Sequence, residues 1–265
     1  MPGGKVSPIF FRGKRLLDAN LASLLQTRGL RSATAVVLSG HSAGGLATYL
    51  HADYVRSQLP ASLGFYAAVP DAGFFLDHAR FGAPNAGEKY FGQGMRITWA
   101  LANASGSFNS KCVAAHRAAP SDCIFPQNFA QHISTPLHVT QSQYDAWQLP
   151  NVLGLGCTPP KGDCNASQLQ AFQQYRVATM SALNASGLYK SRPGFGMFND
   201  ACITHTQGYY GDYMDNKKWE VPAGSGVTLA QSLKAWLDSG SGGGANKNVH
   251  VDRVPWPENK PCHQY

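Results

Sequence analysis

The amino-acid sequence predicts an α/β protein with a mainly parallel sheet flanked by helices. Short apolar runs of high β-propensity alternate with longer helix-like segments, which is the order that parallel βαβ units require. The length of 265 residues and the hydrophobic content of 43% suit one domain, which we assign to residues 1–265. No run approaches ~18 consecutive apolar residues, so we expect no transmembrane helix and no membrane partner.

The first four elements form a helix–strand–helix–strand series. Leucines recur on one face of residues 16–30, which predicts an amphipathic helix with Gly29 near its end. The apolar run 34–39 predicts a buried strand. Residues 44–59 predict the next helix, and residues 65–69 predict a second strand.

The middle of the chain contains a long segment without a regular pattern. Residues 81–136 are rich in Gly, Asn, Ser and Pro and too long for a simple connection, so we expect a cap or lid. Residues 137–142 predict a third strand. A helix is predicted over 168–183, with Asn165 or Ser167 as its N-cap.

The last part of the chain has weaker signals. A short strand is predicted near residues 196–198 and a late helix over 229–237. Residues 239–265 are expected to form a tail that begins with the flexible, glycine-rich run 239–245. Cys262 is a candidate to tether that tail.

The composition is basic, with a formal net charge of +7. A basic surface attracts polyanions such as nucleic acid, anionic lipid or acidic polysaccharide. The nearest approach to a dense basic run is Arg12-Gly13-Lys14-Arg15, which is too short to indicate nucleic-acid binding, and we expect none. A charge spread over the surface also simply aids solubility, and the sequence leaves both interpretations open.

Six cysteines indicate a secreted protein from an oxidising compartment. They form no CxxC pair, which argues against a zinc ribbon. Many pairings are possible, and the sequence alone does not choose among them. Short loops favour Cys112–Cys123 and Cys157–Cys164, which leaves Cys202–Cys262 by elimination.

Three N-glycosylation sequons agree with secretion, and they begin at Asn103, Asn165 and Asn184. The first residues, 1–5, lack the apolar core of ~7–15 residues that a signal peptide contains. We therefore expect either a cytosolic protein or a sequence whose N-terminal region is missing.

The strongest local signal is Gly40-His41-Ser42-Ala43-Gly44, which matches G-x-S-x-G. The motif lies between a predicted buried strand and a predicted helix, the setting of the nucleophile elbow in α/β hydrolases. This setting would hold the Ser42 hydroxyl at the carboxyl end of the sheet, near a helix N-terminus that favours negative charge. The backbone N–H of Ala43 is then expected to donate one hydrogen bond to an oxyanion.

A serine nucleophile needs a histidine base and an acid that orients it, in the chain order Ser, acid, His for this fold. Asp145 lies just past the predicted strand 137–142 and is the expected acid, with Asp122 and Asp163 as rivals in irregular segments. His205 follows the predicted strand 196–198 and is the expected base.

The other histidines fit these roles less well. His250 and His263 lie in the expected tail and are weaker rivals. His41 adjoins the nucleophile, so we expect it to pack or to line the pocket. The remaining histidines precede Asp145 or have no companions at metal-ligand spacing, so we expect no metal and no cofactor; they are His51, His78, His116, His132 and His138.

The segment Leu38-Ser-Gly-His-Ser-Ala-Gly-Gly-Leu46 resembles the pectin acetylesterase family, which also includes the Notum carboxylesterases of animals. Further segments are similar in the same order: Phe11-Arg-Gly13, Asp71-Ala-Gly-Phe-Phe-Leu-Asp77, Cys123-Ile-Phe-Pro-Gln127, Thr135-Pro-Leu137, Tyr144-Asp-Ala-Trp-Gln148 and His205-Thr-Gln207. The resemblance covers about residues 10 to 210.

The resemblance implies an α/β-hydrolase fold and a secreted esterase without a cofactor, whose triad falls on Ser42, Asp145 and His205. Plant and microbial members remove acetyl groups from pectin, and Notum removes a fatty acyl group from a signalling protein. We therefore expect a monomeric, extracellular or cell-wall esterase that acts on an acetylated polysaccharide. The alternatives are a Notum-like lipid deacylase and a noncatalytic relative.

The chain departs from the family pattern at several positions. Plant members typically carry cysteines where this chain has His41 and Ala52, and another where it has Thr206, so the disulfide pattern cannot be transferred. Family members also have a longer N-terminal region with early strands and a Gly-Gly-Gly-Trp-Cys-type segment that completes the oxyanion hole. Gly3-Gly4 is a poor substitute, so we expect missing early strands and a weakened oxyanion hole.

Overall fold

The computed structural model describes residues 10–85, 87–157, 159, 164–189, 194–209, 214–215, 219–239 and 248–259. Its centre is a five-stranded sheet in the order β1-β2-β3-β4-β5. The strands are β1 Ala35–His41, β2 Phe65–Asp71, β3 Leu137–Thr140, β4 Phe195–Asn199 and β5 Val249–Val251. All four pairings are parallel, so the carboxyl ends of the strands meet along one edge of the sheet.

Helices in the described part of the chain precede or connect these strands. They are α1 Gly13–Thr27, α2 Ala43–Gln58, α3 Tyr90–Leu101, α4 Ser110–Ala115, α5 Pro126–Phe129, α6 Ala166–Ala185 and α7 Leu229–Asp238. The predicted parallel sheet flanked by helices is therefore confirmed. None of the helices in the described part of the chain is both long and apolar enough to cross a membrane.

The first elements lie close to their predicted positions. Helix α1 begins and ends three residues before the predicted 16–30, and Gly29 follows it with a φ of 79°. Strand β1 continues to His41, two residues beyond the predicted end. Helix α2 begins at once, so a single residue, Ser42, separates strand from helix.

The segment 81–136 is more regular than the sequence predicts, because it contains helices α3, α4 and α5. Glycines obscure the helical pattern of α3. Gly92 lies against the Asp77 side chain, since a Cβ atom there would lie 2.1 Å from Oδ1 of Asp77. The segment also packs into the core, since Cys112, Cys123 and Phe129 are buried in it. Its expected role as a cap or lid stays a prediction.

The later elements are defined by their caps and by one further strand. Asn165 caps α6 through the backbone N–H of Gln168, and the Gln168 side chain bonds back to Asn165, which forms a capping box. Within the expected tail, residues 249–251 form β5 beside β4. Three residues are too few for a period-2 pattern to be recognised. The glycine-rich run predicted over 239–245 lies almost wholly outside the described residues.

Two of the three hydrophobic clusters among the described residues stabilise the layers. The larger one joins α2 and α6 to the sheet, and its buried members include Tyr49, Phe74, Tyr144, Phe172 and Met197. The smaller one lies between α1, α2 and the first two strands and contains Leu21, Val55, Leu59, Leu63 and Tyr66. Burial of such side chains stabilises the fold by about 1.5–3 kcal/mol each.

Two of the predicted disulfides are present. Cys112 is bonded to Cys123, and Cys157 is bonded to Cys164. The predicted third pair joins Cys202 to Cys262, and Cys262 lies outside the described residues.

Candidate active site

Ser42 occupies a strained turn between β1 and α2. Its φ is 54° and its ψ is −121°, a region that residues other than glycine rarely adopt. The turn is held because the Ser42 N–H donates to the carbonyl oxygen of Asp71 at 2.9 Å. The strain lifts the hydroxyl out of the strand direction, as the nucleophile elbow requires.

Glycines allow the backbones around this turn to approach closely. A Cβ atom on Gly40 would lie 2.4 Å from the carbonyl oxygen of Gly44. A Cβ atom on Gly45 would lie 2.3 Å from the carbonyl oxygen of Asp71, and one on Gly73 would lie 2.3 Å from the carbonyl carbon of Gly45. Only glycine fits at these positions, because real Cβ atoms essentially never approach other atoms within 3.0 Å.

The structure brings together the three side chains that the sequence predicts. Nε2 of His205 lies 2.8 Å from Oγ of Ser42, and Nδ1 of His205 lies 2.9 Å from Oδ2 of Asp145. A carboxylate only accepts hydrogen bonds, so Nδ1–H donates to Asp145 and Nε2 is left to accept the Ser42 hydroxyl proton. This tautomer is the one that general-base activation of a serine requires.

Asp145 is held firmly behind the imidazole. Its side chain is 1% exposed, and Oδ1 accepts the backbone N–H groups of Trp147 and Gln148 at 3.0 Å each. Oδ2 accepts the side-chain N–H of Gln141 at 3.1 Å in addition to the His205 ring. Four donors therefore fix both carboxylate oxygens.

Ala43 is the first residue of α2 and is exposed next to Ser42. The first N–H groups of a helix have no intrahelical partner, and the helix dipole adds positive potential there. No acidic residue lies in the first turn of α2. The arrangement suits the predicted oxyanion contact of Ala43, which stays a prediction.

The rival residues occupy other environments. Asp122 forms an ion pair with Arg96 at 2.7 Å, and Asp163 lies outside the described residues. His250 lies on β5, where burial lowers its pKa, and His263 lies outside the described residues. His138 is fully buried against Ser232 and Trp236, and burial lowers its pKa to about 3.

His41 is expected to pack or to line the pocket. In the structure its ring packs beside a second carboxylate, that of Asp71. Its Nδ1 lies 2.8 Å from Oδ2 of Asp71, and its side chain is 35% exposed. The ring also meets that of Tyr209 edge-on at 5.6 Å. Sequence reasoning missed Asp71, although its position at the carboxyl end of a strand next to the nucleophile strand was a usable signal.

One group of potential metal ligands occurs among the described residues, formed by Cys112, His116 and Cys123. The two sulfurs are bonded to each other, so neither is a thiolate that could bind a metal.

A cavity of about 580 Å³ lies far from Ser42, Asp145 and His205, and it is lined by residues such as Arg56, Phe65 and Pro136 near the amino ends of β2 and β3. We therefore assign the candidate site by side-chain geometry rather than by cavity size.

Comparison with known proteins relates this chain to esterases. The sequence profile described as Pectinacetylesterase matches residues 4–263. The chain is 30% identical to pectin acetylesterase 5 of Arabidopsis thaliana over 269 residues, which cover 96% of this chain and 58% of the plant protein. It is 24% identical to palmitoleoyl-protein carboxylesterase notum1a of Danio rerio over 279 residues, which cover 95% of this chain and 49% of the fish protein. The chain thus spans about half of the length of these curated relatives.

A solved structure shares the fold. The structure of the Wnt deacylase Notum from Drosophila superimposes with a TM-score of 0.77 and 23% sequence identity. The match covers 98% of this chain and 69% of that one. At this level of identity the similarity concerns the fold, and it confirms the predicted α/β-hydrolase fold.

Proposed function

The chain belongs to the pectinacetylesterase family, and from this membership we propose that it is a serine esterase that removes acetyl groups from pectin or a related cell-wall polysaccharide. The observation that carries the proposal is the continuous hydrogen-bond path from Ser42 through His205 to Asp145, with distances of 2.8 and 2.9 Å. Because the chain spans only part of its relatives, the activity needs a direct test.

In the proposed reaction, His205 accepts the proton of the Ser42 hydroxyl while Oγ attacks the carbonyl carbon of the ester. The negative charge on the carbonyl oxygen is stabilised by the Ala43 N–H. The intermediate collapses, the bond to the sugar oxygen breaks, and His205 returns the proton to that oxygen. Water, deprotonated by His205, then attacks the acetyl–Ser42 ester and releases acetate.

Asp145 keeps the imidazole oriented throughout and stabilises its protonated form. Trp147 assists by packing, since its ring stacks on that of His205 at 6.4 Å between centroids. The rate also depends on how many N–H groups donate to the oxyanion, because removing one such donor typically lowers kcat by about 10²–10³-fold.

A polysaccharide substrate is supported by the plant relatives and by the net charge of +7, which attracts an acidic polymer. Exposed aromatic rings also lie near the candidate site. Trp147 is 36% exposed beside His205, and Tyr209 is 66% exposed beside His41. Such rings suit contact with the apolar faces of sugars.

A second candidate substrate is a longer acyl chain. Trp147 packs edge-on against Phe75 and Phe91, with centroids 5.2 and 5.7 Å apart, so one side of the candidate site is an aromatic wall. An apolar wall favours a fatty acyl group, and the relatives include a palmitoleoyl-protein carboxylesterase. A strong preference for octanoyl over acetyl esters would favour this alternative.

Secretion is part of the proposal. The disulfides Cys112–Cys123 and Cys157–Cys164 suit an oxidising compartment. The three sequon asparagines, Asn103, Asn165 and Asn184, are all exposed and therefore accessible to glycosylation. Increased electrophoretic mobility after endoglycosidase treatment of the secreted protein would test this point.

The function is tested with an aryl acetate and acetylated pectin on the folded chain, compared with Ser42→Ala. We expect kcat/KM of the variant to be at least ~10³-fold lower than that of the wild type, because the nucleophile is absent. The matched control is Ser57→Ala, an exposed serine on α2, which should keep full activity. Unchanged activity in Ser42→Ala would exclude the assignment. A folded wild-type chain that neither turns over esters nor reacts with a fluorophosphonate at Ser42 would favour a noncatalytic role.

A further inference from the structure

The segment 200–208 carries His205 from the end of β4 and has no regular secondary structure around the histidine; we call it the histidine loop. Thr206, directly after His205, has a φ of 62°. This conformation is rare for a β-branched residue and persists only where the surroundings hold it. The loop therefore needs anchors on both sides of the imidazole.

The first anchor is the carboxylate of Asp200. Its Oδ1 accepts the backbone N–H of Cys202 at 3.0 Å, and its Oδ2 accepts the side-chain N–H of Gln207 at 2.7 Å. Asp200 and Gln207 are 0% and 1% exposed, so these bonds are shielded from water. One carboxylate thus closes the histidine loop on itself, across His205.

The second anchor is Asp71, at the carboxyl end of β2. Its Oδ2 accepts the backbone N–H of Gly208 at 2.9 Å and faces Nδ1 of His41 at 2.8 Å. Gly208 ends the histidine loop, and His41 directly precedes Ser42. Asp71 therefore ties the loop of the expected base to the strand of the expected nucleophile.

The carboxyl groups of Asp71 and Asp200 are both buried, although burial disfavours their charged forms. Burial raises the pKa of Asp200 to about 7 and also raises the pKa of Asp71, and hydrogen bonds only partly oppose this. Costly buried acids of this kind cluster at functional sites. Neither group has a described hydrogen bond to the side chain of Ser42 or His205, so each could act only through the backbone and its neighbours.

We propose that Asp71 and Asp200 are positioning residues, which hold the histidine loop so that the His205 ring stays between Ser42 and Asp145. The inference rests on the proposed esterase function. A displacement of about 1 Å can cost about 10²-fold in rate, so loss of either anchor should lower kcat by about 10- to 100-fold with a smaller effect on KM.

Conservative variants separate positioning from charge. In Asp71→Asn, the amide oxygen can still accept from both Gly208 and His41, because both bonds go to one oxygen, Oδ2. In Asp200→Asn, the new N–H₂ group faces Gln207, which can turn its amide to present Oε1, an atom that has no hydrogen-bond partner. Both asparagine variants should keep kcat within about fivefold of wild type, whereas Asp71→Ala and Asp200→Ala should not.

The control is a third carboxylate that binds the backbone away from the site. Asp53 accepts the N–H groups of Ser134 and Thr135 near the amino end of β3. Asp53 also accepts the Thr135 hydroxyl, so Asp53→Ala removes the bonds of three donors, one more than either anchor variant; it should lower the melting temperature and leave kcat unchanged. If Asp200→Ala fails to fold, Gln207→Leu replaces it, since this change removes one bond of the Asp200 anchor and nearly preserves volume.

The experiment measures kcat and KM with an aryl acetate, the thermal melting temperature, and the deshielded proton resonance of the His205 Nδ1–H bonded to Asp145. We expect the alanine variants to lose kcat and to broaden or lose this resonance, and the asparagine variants to restore both. Folded alanine variants with kcat within twofold of wild type and an unchanged resonance would overturn the inference and leave the esterase function standing. If the wild type shows no Ser42-dependent turnover, the proposed function fails, and the resonance alone decides whether the anchors position His205.

Discussion

Replacing Asp145 by Asn tests the geometry of the candidate triad most directly. Oδ1 of Asp145 accepts two backbone N–H groups, so the amide oxygen of the asparagine will take that place. The N–H₂ group then faces His205 in place of Oδ2. Two donors cannot bond to each other, so the imidazole must move its proton to Nε2 and accept at Nδ1.

The protonated Nε2 then points at Ser42 and can no longer act as its base. The corresponding change in the serine proteases lowers kcat about 10⁴-fold, and we expect a loss of the same order here. This loss corresponds to about 5.5 kcal/mol of transition-state stabilisation. The variant should fold, since the change is isosteric and removes a charge from a site that is 1% exposed.

The assay is hydrolysis of an aryl acetate under saturating substrate, with circular dichroism and melting temperature as measures of folding. Asp53→Asn is the matched control, because it makes the same chemical change in a carboxylate that binds the backbone away from the site. If folded Asp145→Asn keeps kcat within about tenfold of wild type, the assigned role of Asp145 is wrong.

Two further predictions follow from close packing and from burial. Gly45→Ala should abolish activity and lower the melting temperature, because the new Cβ atom would lie 2.3 Å from the carbonyl oxygen of Asp71. The control is Gly44→Ala, which has open space at its Cβ and should fold normally. An unchanged melting temperature for Gly45→Ala would contradict the packing of the turn at Ser42. Burial raises the pKa of Asp200 from 3.8 to about 7, so the folded state binds this proton more tightly than the unfolded chain, and the stability that it contributes is full below pH 3.8 and is lost as the pH rises through about 7. Asp200→Asn should remove this part of the pH dependence of stability. The free energy of unfolding is measured by chemical denaturation between pH 4 and 8, and if its slope against pH is the same in the variant and the wild type, the reasoning is wrong.

Much of the candidate site could be predicted from local patterns. Ser42 is a candidate because G-x-S-x-G follows an apolar run and precedes a helical pattern. Asp145 and His205 are candidates because each follows a predicted strand in the required chain order. The carboxyl ends of parallel strands meet at one edge, so the sheet topology alone predicts that these residues converge.

Other features have no local signal. Helix α3 was missed because its two glycines obscure the periodicity, and only Gly92 lies against Asp77. Strand β5 was missed because three residues carry no pattern. Asp200 has no such signal, since its partner Gln207 is brought to it only by the folded loop, and the position of Asp71 at a strand end does not predict its bond to Gly208.

The sequence by itself determined the order of the first four strands and of helices α1, α2, α6 and α7, the strand–turn–helix setting of G-x-S-x-G and the three candidate residue types of a serine hydrolase. These depend on hydrophobic periodicity and on residues close together in the chain. The tertiary structure alone decided which tautomer His205 adopts, how buried carboxylates hold its loop, and which aromatic rings surround it. These features depend on contacts between residues that are distant in the chain, such as His205 and Ser42, which are 163 residues apart. Such contacts are determined by how the elements pack, and local sequence patterns do not predict that packing.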